Sequence, residues 1–150
     1  MALLYLDTSA LVKLYVQEQG TEKMLGLAHP DAGNRLVILS LSRIEFRAAV
    51  RRRAKLGDID AKLADEMISE FSGHLANVFQ LQPVNEPVMD AACAAIDQHY
   101  LRAYDAMQLG GYAALRRSIG EEVETVFVCA DDKLLNAARD QGFSVFNPTV

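Results

Sequence analysis

The sequence predicts an α/β fold with a mostly parallel central sheet of about five strands and helices on both faces. Short apolar runs of strand length alternate along the chain with longer segments whose apolar residues have helical spacing. Strands that are separated by helices are typical of parallel sheets with right-handed crossovers. The 150 residues, of which 51% are hydrophobic, are enough to bury a core, so we expect one domain over residues 1–150.

The first predicted strand is Leu3–Leu6, where four apolar residues are followed at once by Asp7. Thr8 and Ser9 are residues that start helices, so a short helix is predicted over residues 8–16. Asp7 therefore falls at the carboxyl end of the first strand, which is the sheet edge where ligands bind in open α/β folds. On this stretch alone, a helix cap and a site residue are equally good interpretations of Asp7.

Later elements are predicted from the same alternation of caps, apolar stripes and turn residues. In chain order they are a helix over 21–28, a strand over 36–39, a helix over 42–56, a helix ending near 76, a strand over 78–81, helices over 86–98 and 101–118, a strand over 125–129, a helix ended by Gly142 and a strand over 143–146. Ser42 and Asn85 are predicted N-caps, as is Asp58 or Asp60. Gly110 and Gly111 each cost a helix about 1 kcal/mol relative to Ala, which predicts a close backbone approach.

The amino-acid composition limits the functional classes to which the protein can belong. No apolar run approaches the ~20 residues of a membrane span, and the N-terminus lacks the basic lead of a signal peptide, so we expect a cytoplasmic protein without a membrane partner. Cys93 and Cys129 resemble small core residues, and the three histidines lack metal-ligand spacing. A net charge of −5 argues against a general basic nucleic-acid binder, but not against a nuclease whose acids are gathered in one site.

Acidic residues from distant parts of the chain are predicted to meet at one edge of the sheet. Asp7, Asp131 and Asp132 follow strands, whereas Glu45 and Asp105 lie in the first turns of helices. Each acid alone could serve only a helix terminus, but their common location predicts a site. Clustered carboxylates raise one another's pKa, and a hard cation such as Mg²⁺ or Mn²⁺ relieves the repulsion. Such a site suits the hydrolysis of phosphodiesters.

Other sequence signatures of phosphate chemistry are missing. The chain has no Gly-x-x-x-x-Gly-Lys loop, no Gly-x-Gly-x-x-Gly fingerprint and no Gly-x-Ser-x-Gly elbow. A haloacid-dehalogenase-like phosphatase would have Asp-x-Asp after the first strand, where this chain has Asp7, Thr8 and Ser9. A receiver domain would carry its paired acids there too, but the pair in this chain follows the fourth predicted strand.

Four stretches of the chain resemble the PIN-domain nucleases, and among them the VapC-type toxins of toxin–antitoxin pairs. They are residues 5–15, 42–45, 101–106 and 130–135, joined by the ending 142–148. The resemblance covers essentially the whole chain and implies one PIN-like nuclease domain with a three-layer α/β/α sandwich. It further implies a metal-dependent endoribonuclease, a homodimer and a cognate antitoxin that blocks the site. A PIN-domain RNA-processing nuclease without an antitoxin and a catalytically silent PIN-like binding module remain the alternatives.

The resemblance assigns catalysis and Mg²⁺ or Mn²⁺ binding to four acids, Asp7, Glu45, Asp105 and Asp131. Asp131 matches the fourth acid because the family's Leu comes three positions later, here Leu134. Asp132 stays open as an alternative metal ligand. Because adjacent side chains at a strand-to-helix turn point in different directions, we expect Asp131 to face the shared edge and Asp132 to serve the following helix.

Polar and basic residues near the acids complete the predicted site. Ser9, together with Thr8, is expected to hold the geometry of the acids. Arg43, Arg47 and Arg102 flank the acid motifs and are the predicted contacts for RNA phosphates. The arginines at 51–53 lie near a helix C-terminus, where cations complement the helix dipole, and are interpreted as a solvated helix end.

Overall fold

Five strands form one parallel sheet at the centre of the computed structural model, which describes residues 1–150. They are β1 Leu3–Leu6, β2 Arg35–Leu39, β3 Phe79–Gln82, β4 Thr125–Val128 and β5 Val145–Phe146. Their order across the sheet is β3-β2-β1-β4-β5, and every neighbouring pair is parallel. The predicted α/β class is therefore confirmed. Since all strands run the same way, their carboxyl ends share one edge, with β1 in the middle.

Seven α-helices connect and cover the strands. They are α1 Thr8–Leu11, α2 Thr21–Ala28, α3 Ser42–Lys55, α4 Ala61–His74, α5 Glu86–His99, α6 Ala103–Ile119 and α7 Asp132–Asp140. The helix predicted over 8–16 is instead one α-helical turn followed by a 3₁₀ turn over Val12–Leu14. Another 3₁₀ turn, Pro30–Ala32, lies between α2 and β2. None of these helices is both long and apolar enough to cross a membrane.

Helix caps match the prediction at two positions and differ at a third. The side chains of Asp60 and Asn85 accept hydrogen bonds from the backbone amides of Leu63 and Val88, as N-caps do. Ser42, in contrast, is the first residue inside α3, and the N-cap position belongs to Leu41, which has no capping side chain. The cap prediction for Ser42 was therefore wrong.

The core lies in two layers because successive side chains of a strand point to opposite faces of the sheet. Leu3 and Tyr5 of β1 belong to a cluster that includes residues of α5, α6 and α7. Leu4 and Leu6 belong to a second cluster on the other face, which α1, α2, α3 and α4 cover. All four residues of β1 are buried, as expected for a strand that is covered on both faces. The structure is thus the predicted three-layer α/β/α sandwich.

The paired glycines of α6 sit at close contacts, as their position in mid-helix predicts. A Cβ on Gly110 would lie 2.7 Å from backbone atoms of Val88 and Ala92, where α5 packs against α6. A Cβ on Gly111 would overlap the hydroxyl oxygen of Tyr5. Both glycines therefore allow approaches that no other residue could make without displacement.

We predict that Gly110→Ala lowers the free energy of unfolding by about 1–3 kcal/mol, because α5 must move away from the added methyl group. Gly73→Ala in α4 is the matched control, since a Cβ at Gly73 meets no atom within 4 Å. That control should stabilise the protein by up to about 1 kcal/mol through helix propensity. Urea denaturation of the two variants measures both effects. Equal stability of the two variants would show that α5 and α6 are not packed this closely.

Candidate functional site

A cavity of about 680 Å³ opens at the carboxyl edge of the sheet, between α1, α3, the start of α6 and the turn that leads from β4 into α7. Glu45 and Asp131 line it together with Thr8 and Ser9. Asp7 lies beside Ser9 and is only 5% exposed. The acids predicted from the strand ends therefore do gather at one edge.

Asp7 is held by the residue two positions after it. Its Oδ2 accepts hydrogen bonds from the backbone N–H of Ser9 at 3.1 Å and from the Ser9 hydroxyl at 2.5 Å. The Ser9 hydroxyl oxygen accepts in turn from the backbone N–H of Ala130 at 2.9 Å, which joins the ends of β1 and β4. Burial raises the pKa of Asp7, the two Ser9 hydrogen bonds oppose that rise, and the charge of Asp105 adds to it.

Glu45 lies in the first turn of α3 and is anchored through one oxygen. Its Oε1 accepts hydrogen bonds from Gln108 Nε2 at 2.7 Å and from the Thr8 hydroxyl at 3.2 Å. Burial raises the pKa of Glu45 to about 7 against these hydrogen bonds, and the charges of Asp7 and Asp105 raise it further. Near neutral pH this carboxyl group is therefore poised between its two protonation states.

Asp105 and Asp131 approach each other from α6 and α7. Burial raises the pKa of Asp105, and the charge of Asp131 raises it further, while nearby Arg102 and Lys133 lower it. Asp131 is the N-cap of α7, because its Oδ1 accepts from the backbone N–H of Leu134 at 2.9 Å. Asp132 is exposed and does not line the cavity. Asp131 thus both borders the cavity and caps the helix, whereas the sequence analysis gave the helix role to Asp132.

A divalent cation fits these carboxylates, although they do not form a complete coordination shell. No three His, Cys, Asp or Glu side chains are grouped closely enough to hold a metal ion by themselves. However, burial and mutual repulsion raise the pKa of Asp7, Glu45 and Asp105 together, so the site is short of positive charge. Mg²⁺ is commonly bound by one or two carboxylates, with water and substrate phosphate as its remaining ligands.

The predicted phosphate contacts separate into two regions. Arg43 and Arg47 are exposed and line a second groove, between α3 and α4, rather than the acid cavity. Both lie on the face of α3 that turns towards α4, which the spacing of charges alone does not reveal. Arg102 precedes α6, and its charge reaches Asp105. Of the three predicted contacts, the structure brings only Arg102 close to the acids.

Two of the three arginines at 51–53, which the sequence predicts to be a solvated helix end, also line the acid cavity. Arg52 and Arg53 line that cavity together with Lys13. Arg53 and Lys13 both pair with Glu18, at 2.5 and 3.0 Å. The predicted helix end is confirmed, since Arg52 and Arg53 lie in the last turn of α3 and Arg52 is exposed. The helical spacing from 45 to 52 also places them on the face of Glu45, which the sequence interpretation did not include.

Gln108 is the main site residue that the sequence analysis missed. Its side chain is completely buried and lies one helical turn after Asp105 in α6. The amide nitrogen contacts Glu45 Oε1, the Ser42 hydroxyl at 3.0 Å and the Thr8 hydroxyl at 3.2 Å. A long amide on the buried side of a helix, three residues after a candidate ligand, is the pattern that could have identified it.

Known proteins resemble this chain in both sequence and fold. The family model of the PIN domain matches residues 4–119, a segment that includes Asp7, Glu45 and Asp105 and ends before Asp131. Ribonuclease VapC47 of Mycobacterium tuberculosis (strain CDC 1551 / Oshkosh) is 29% identical over 148 residues, which is 97% of each chain. The crystal structure of FitAcB from Neisseria gonorrhoeae superimposes with a TM-score of 0.67 at 16% identity, over 97% of both chains. A toxin–antitoxin complex from Klebsiella pneumoniae superimposes with a TM-score of 0.64 at 16% identity, over 99% of this chain and 98% of that one.

We predict that the metal-free protein loses stability as the pH rises from about 4.5 to above about 7. The lower value is the ordinary pKa of Glu45, and the upper value is its pKa in the folded protein. A carboxyl group whose pKa is raised by folding binds more protons in the folded state, so its stabilising contribution is complete at low pH and is lost on deprotonation. Urea midpoints measured in EDTA at pH 5 and pH 8 test this. Glu45→Gln should flatten the dependence, whereas Glu66→Gln on the exposed face of α4 should leave it unchanged. A Glu45→Gln profile that parallels the wild type would contradict the assignment.

Proposed function

The chain belongs to the PIN domain family, and from that premise we propose that it is a metal-dependent endoribonuclease of the VapC toxin type. The observation that carries this proposal is the gathering of Asp7, Glu45, Asp105 and Asp131 at one sheet edge, where burial and mutual repulsion favour a bound cation. The similarity to a ribonuclease along 97% of the chain supports RNA as the substrate. We further propose that residues 1–150 act as a single domain in the cytoplasm.

We propose that the four acids hold Mg²⁺ or Mn²⁺. When bound, the ion supplies positive charge to the phosphodiester and lowers the pKa of a coordinated water. Asp131 is preferred over Asp132 as the fourth acid because only Asp131 borders the cavity. Arg102, next to Asp105, is retained as a contact for an RNA phosphate, whereas the location of Arg43 and Arg47 in the other groove gives them no support.

Neighbouring residues hold three of the four carboxylates, those of Asp7, Glu45 and Asp131, in the same way. Ser9 occupies Asp7 Oδ2, and the Leu134 amide occupies Asp131 Oδ1. Gln108 and Thr8 occupy Glu45 Oε1. In each case one oxygen is held by the protein while the second keeps its lone pairs for another ligand. Anchoring on one side restricts the rotation of a carboxylate without using up its capacity to bind.

The cavity wall also has features that suit a single strand of RNA. The ring of Tyr104 is 58% exposed on the wall, where a base can stack on it. Arg52 lines the same wall and forms no ion pair within the chain, so its guanidinium group is available for a phosphate. A cation and an exposed aromatic ring that line the same cavity are compatible with RNA binding despite the net charge of −5.

An antitoxin partner and a homodimer complete the proposal. One of the structures that superimpose on this chain is a toxin–antitoxin complex, which supports a small cognate antitoxin that blocks the cavity here. Exposed apolar side chains on α3 and just beyond its end, Ile44 at 64% and Leu56 at 70% exposure, offer surface for a protein contact. The homodimer rests on the VapC resemblance.

Cleavage of total RNA by the purified protein, with Mn²⁺ or with EDTA, tests the nuclease proposal. We predict that Asp131→Asn lowers the rate of Mn²⁺-dependent cleavage by at least about tenfold. Even the loss of a residue that only orients a metal ligand typically lowers activity by about 10–100-fold. Its melting temperature should change little, because the Asn amide oxygen can still cap α7. Asp132→Asn is the matched control and should retain activity. Loss of activity in Asp132→Asn alone would identify Asp132 as the fourth acid, and metal-independent cleavage by the wild type would refute the proposal.

Expression without an antitoxin tests the toxin assignment separately. We predict that induction of the wild-type chain arrests growth of a host that lacks the antitoxin, whereas Asp7→Asn does not. Asn keeps one oxygen for the Ser9 hydrogen bonds, so both chains should accumulate as folded protein, which immunoblots of the soluble fraction verify. If both cultures grow equally well while the purified wild type still cleaves RNA, the protein is a PIN-domain RNA-processing nuclease rather than a toxin.

A further inference from the structure

The amide of Gln108 joins four elements beneath the acid cavity. Its nitrogen donates to Glu45 Oε1 at 2.7 Å, and its oxygen accepts from the Tyr5 hydroxyl at 3.2 Å. Glu45 belongs to α3, Tyr5 to β1 and Gln108 to α6, while the contact with Thr8 adds α1. Because the side chain has no exposed surface, loss of any partner leaves a polar group without water to replace it.

The Tyr5 hydroxyl binds the end of the amide that faces away from Glu45. An amide can be turned over with little change in shape, but only its nitrogen can donate to a carboxylate. The Tyr5 hydroxyl lies 3.2 Å from Gln108 Oε1 and donates its hydrogen to that oxygen. Donation to Gln108 Oε1 holds the oxygen away from Glu45 and leaves the nitrogen directed at it.

Gly111 makes the space that this arrangement needs. A Cβ on Gly111 would overlap the Tyr5 hydroxyl oxygen. The Tyr5 ring cannot move aside freely, since Tyr112 packs edge-on against it with ring centroids 5.7 Å apart and Phe127 stacks at 5.8 Å. The glycine in α6 therefore admits the hydroxyl that orients the glutamine three residues earlier in the same helix.

We propose that Gln108 is a positioning residue for Glu45, held in its working orientation by Tyr5. Its amide fixes Glu45 Oε1, so that the carboxylate meets a divalent cation already oriented rather than free to rotate. Partners that orient a ligand typically change metal affinity by about 10–100-fold. This inference rests on the proposed function, because it requires the cavity to bind a cation.

Calorimetric titration with Mn²⁺ alone measures the effect without RNA or turnover. Gln108→Met keeps the length of the side chain but removes both polar ends, and should weaken Mn²⁺ binding by about 10–100-fold. Tyr5→Phe should weaken binding less, because the amide remains but loses its orienting donor. Tyr112→Phe is the matched control: it also removes a buried phenol hydroxyl, one that donates to the Thr125 carbonyl and is not in contact with Gln108. It should lower the melting temperature about as much as Tyr5→Phe and leave the Mn²⁺ dissociation constant at the wild-type value.

A double-mutant cycle separates positioning from a general loss of stability. If Gln108 acts through Glu45, then Gln108→Met should add no further loss of Mn²⁺ affinity in a Glu45→Ala background. Wild-type affinity in both Gln108→Met and Tyr5→Phe, with weakened binding in Glu45→Ala, would overturn the positioning role and leave the metal site intact. No Mn²⁺ binding by the wild type, or none lost in Glu45→Ala, would overturn the metal site and this inference with it. Should Gln108→Met fail to fold, the comparison of Tyr5→Phe with Tyr112→Phe decides.

Discussion

Burial of carboxylates beside one another at the end of the central strand is the constraint on which this structure depends. Asp7 is 5% exposed at the tip of β1, where both burial and neighbouring charge oppose its ionisation. Such a group persists in a fold when hydrogen bonds, a nearby cation or its own protonation offset the free-energy cost of desolvation. The Ser9 hydroxyl and backbone amide provide the first kind of compensation within the chain. The divalent cation proposed for the cavity would provide the second kind.

The parallel sheet explains why residues far apart in sequence share that constraint. With β1 between β2 and β4, the segments that leave all three strands emerge side by side at the same edge. Those segments carry Asp7, Glu45 and Asp131. Asp105 is positioned differently, because its helix α6 follows the helix α5 rather than a strand. At Gly110, α6 packs closely against α5. Close packing of α5 on α6 thus serves the position of a site residue as well as the core.

Sequence reasoning succeeded where the controlling interactions are local and failed where they are not. Apolar periodicity and residues that favour helix starts predicted the strands, most helices and the convergence of the acids, because each depends on neighbours within one or two turns. The network around Gln108 joins residues 63 to 103 positions apart and has no local pattern. The sequence did not predict which groove Arg43 and Arg52 line, because the two faces of α3 are distinguished by where α4 packs. Ser42 was predicted as a cap because Ser is a residue type that starts helices, whereas in the fold its hydroxyl accepts from Gln108.

An acid at a strand end of this fold can cap a helix and still present an oxygen to the cavity. A carboxylate has two oxygens, and a cap requires only one of them. Asp7 caps α1 through Oδ2, and Asp131 caps α7 through Oδ1, so each side chain is immobilised by the helix that it starts. The opposite oxygen then lies at the sheet edge with its direction already restricted, which reduces the entropy that a ligand must remove on binding. Capping and the proposed ligand binding are compatible at this edge, because the hydrogen bond that begins the helix also orients the group that faces the cavity.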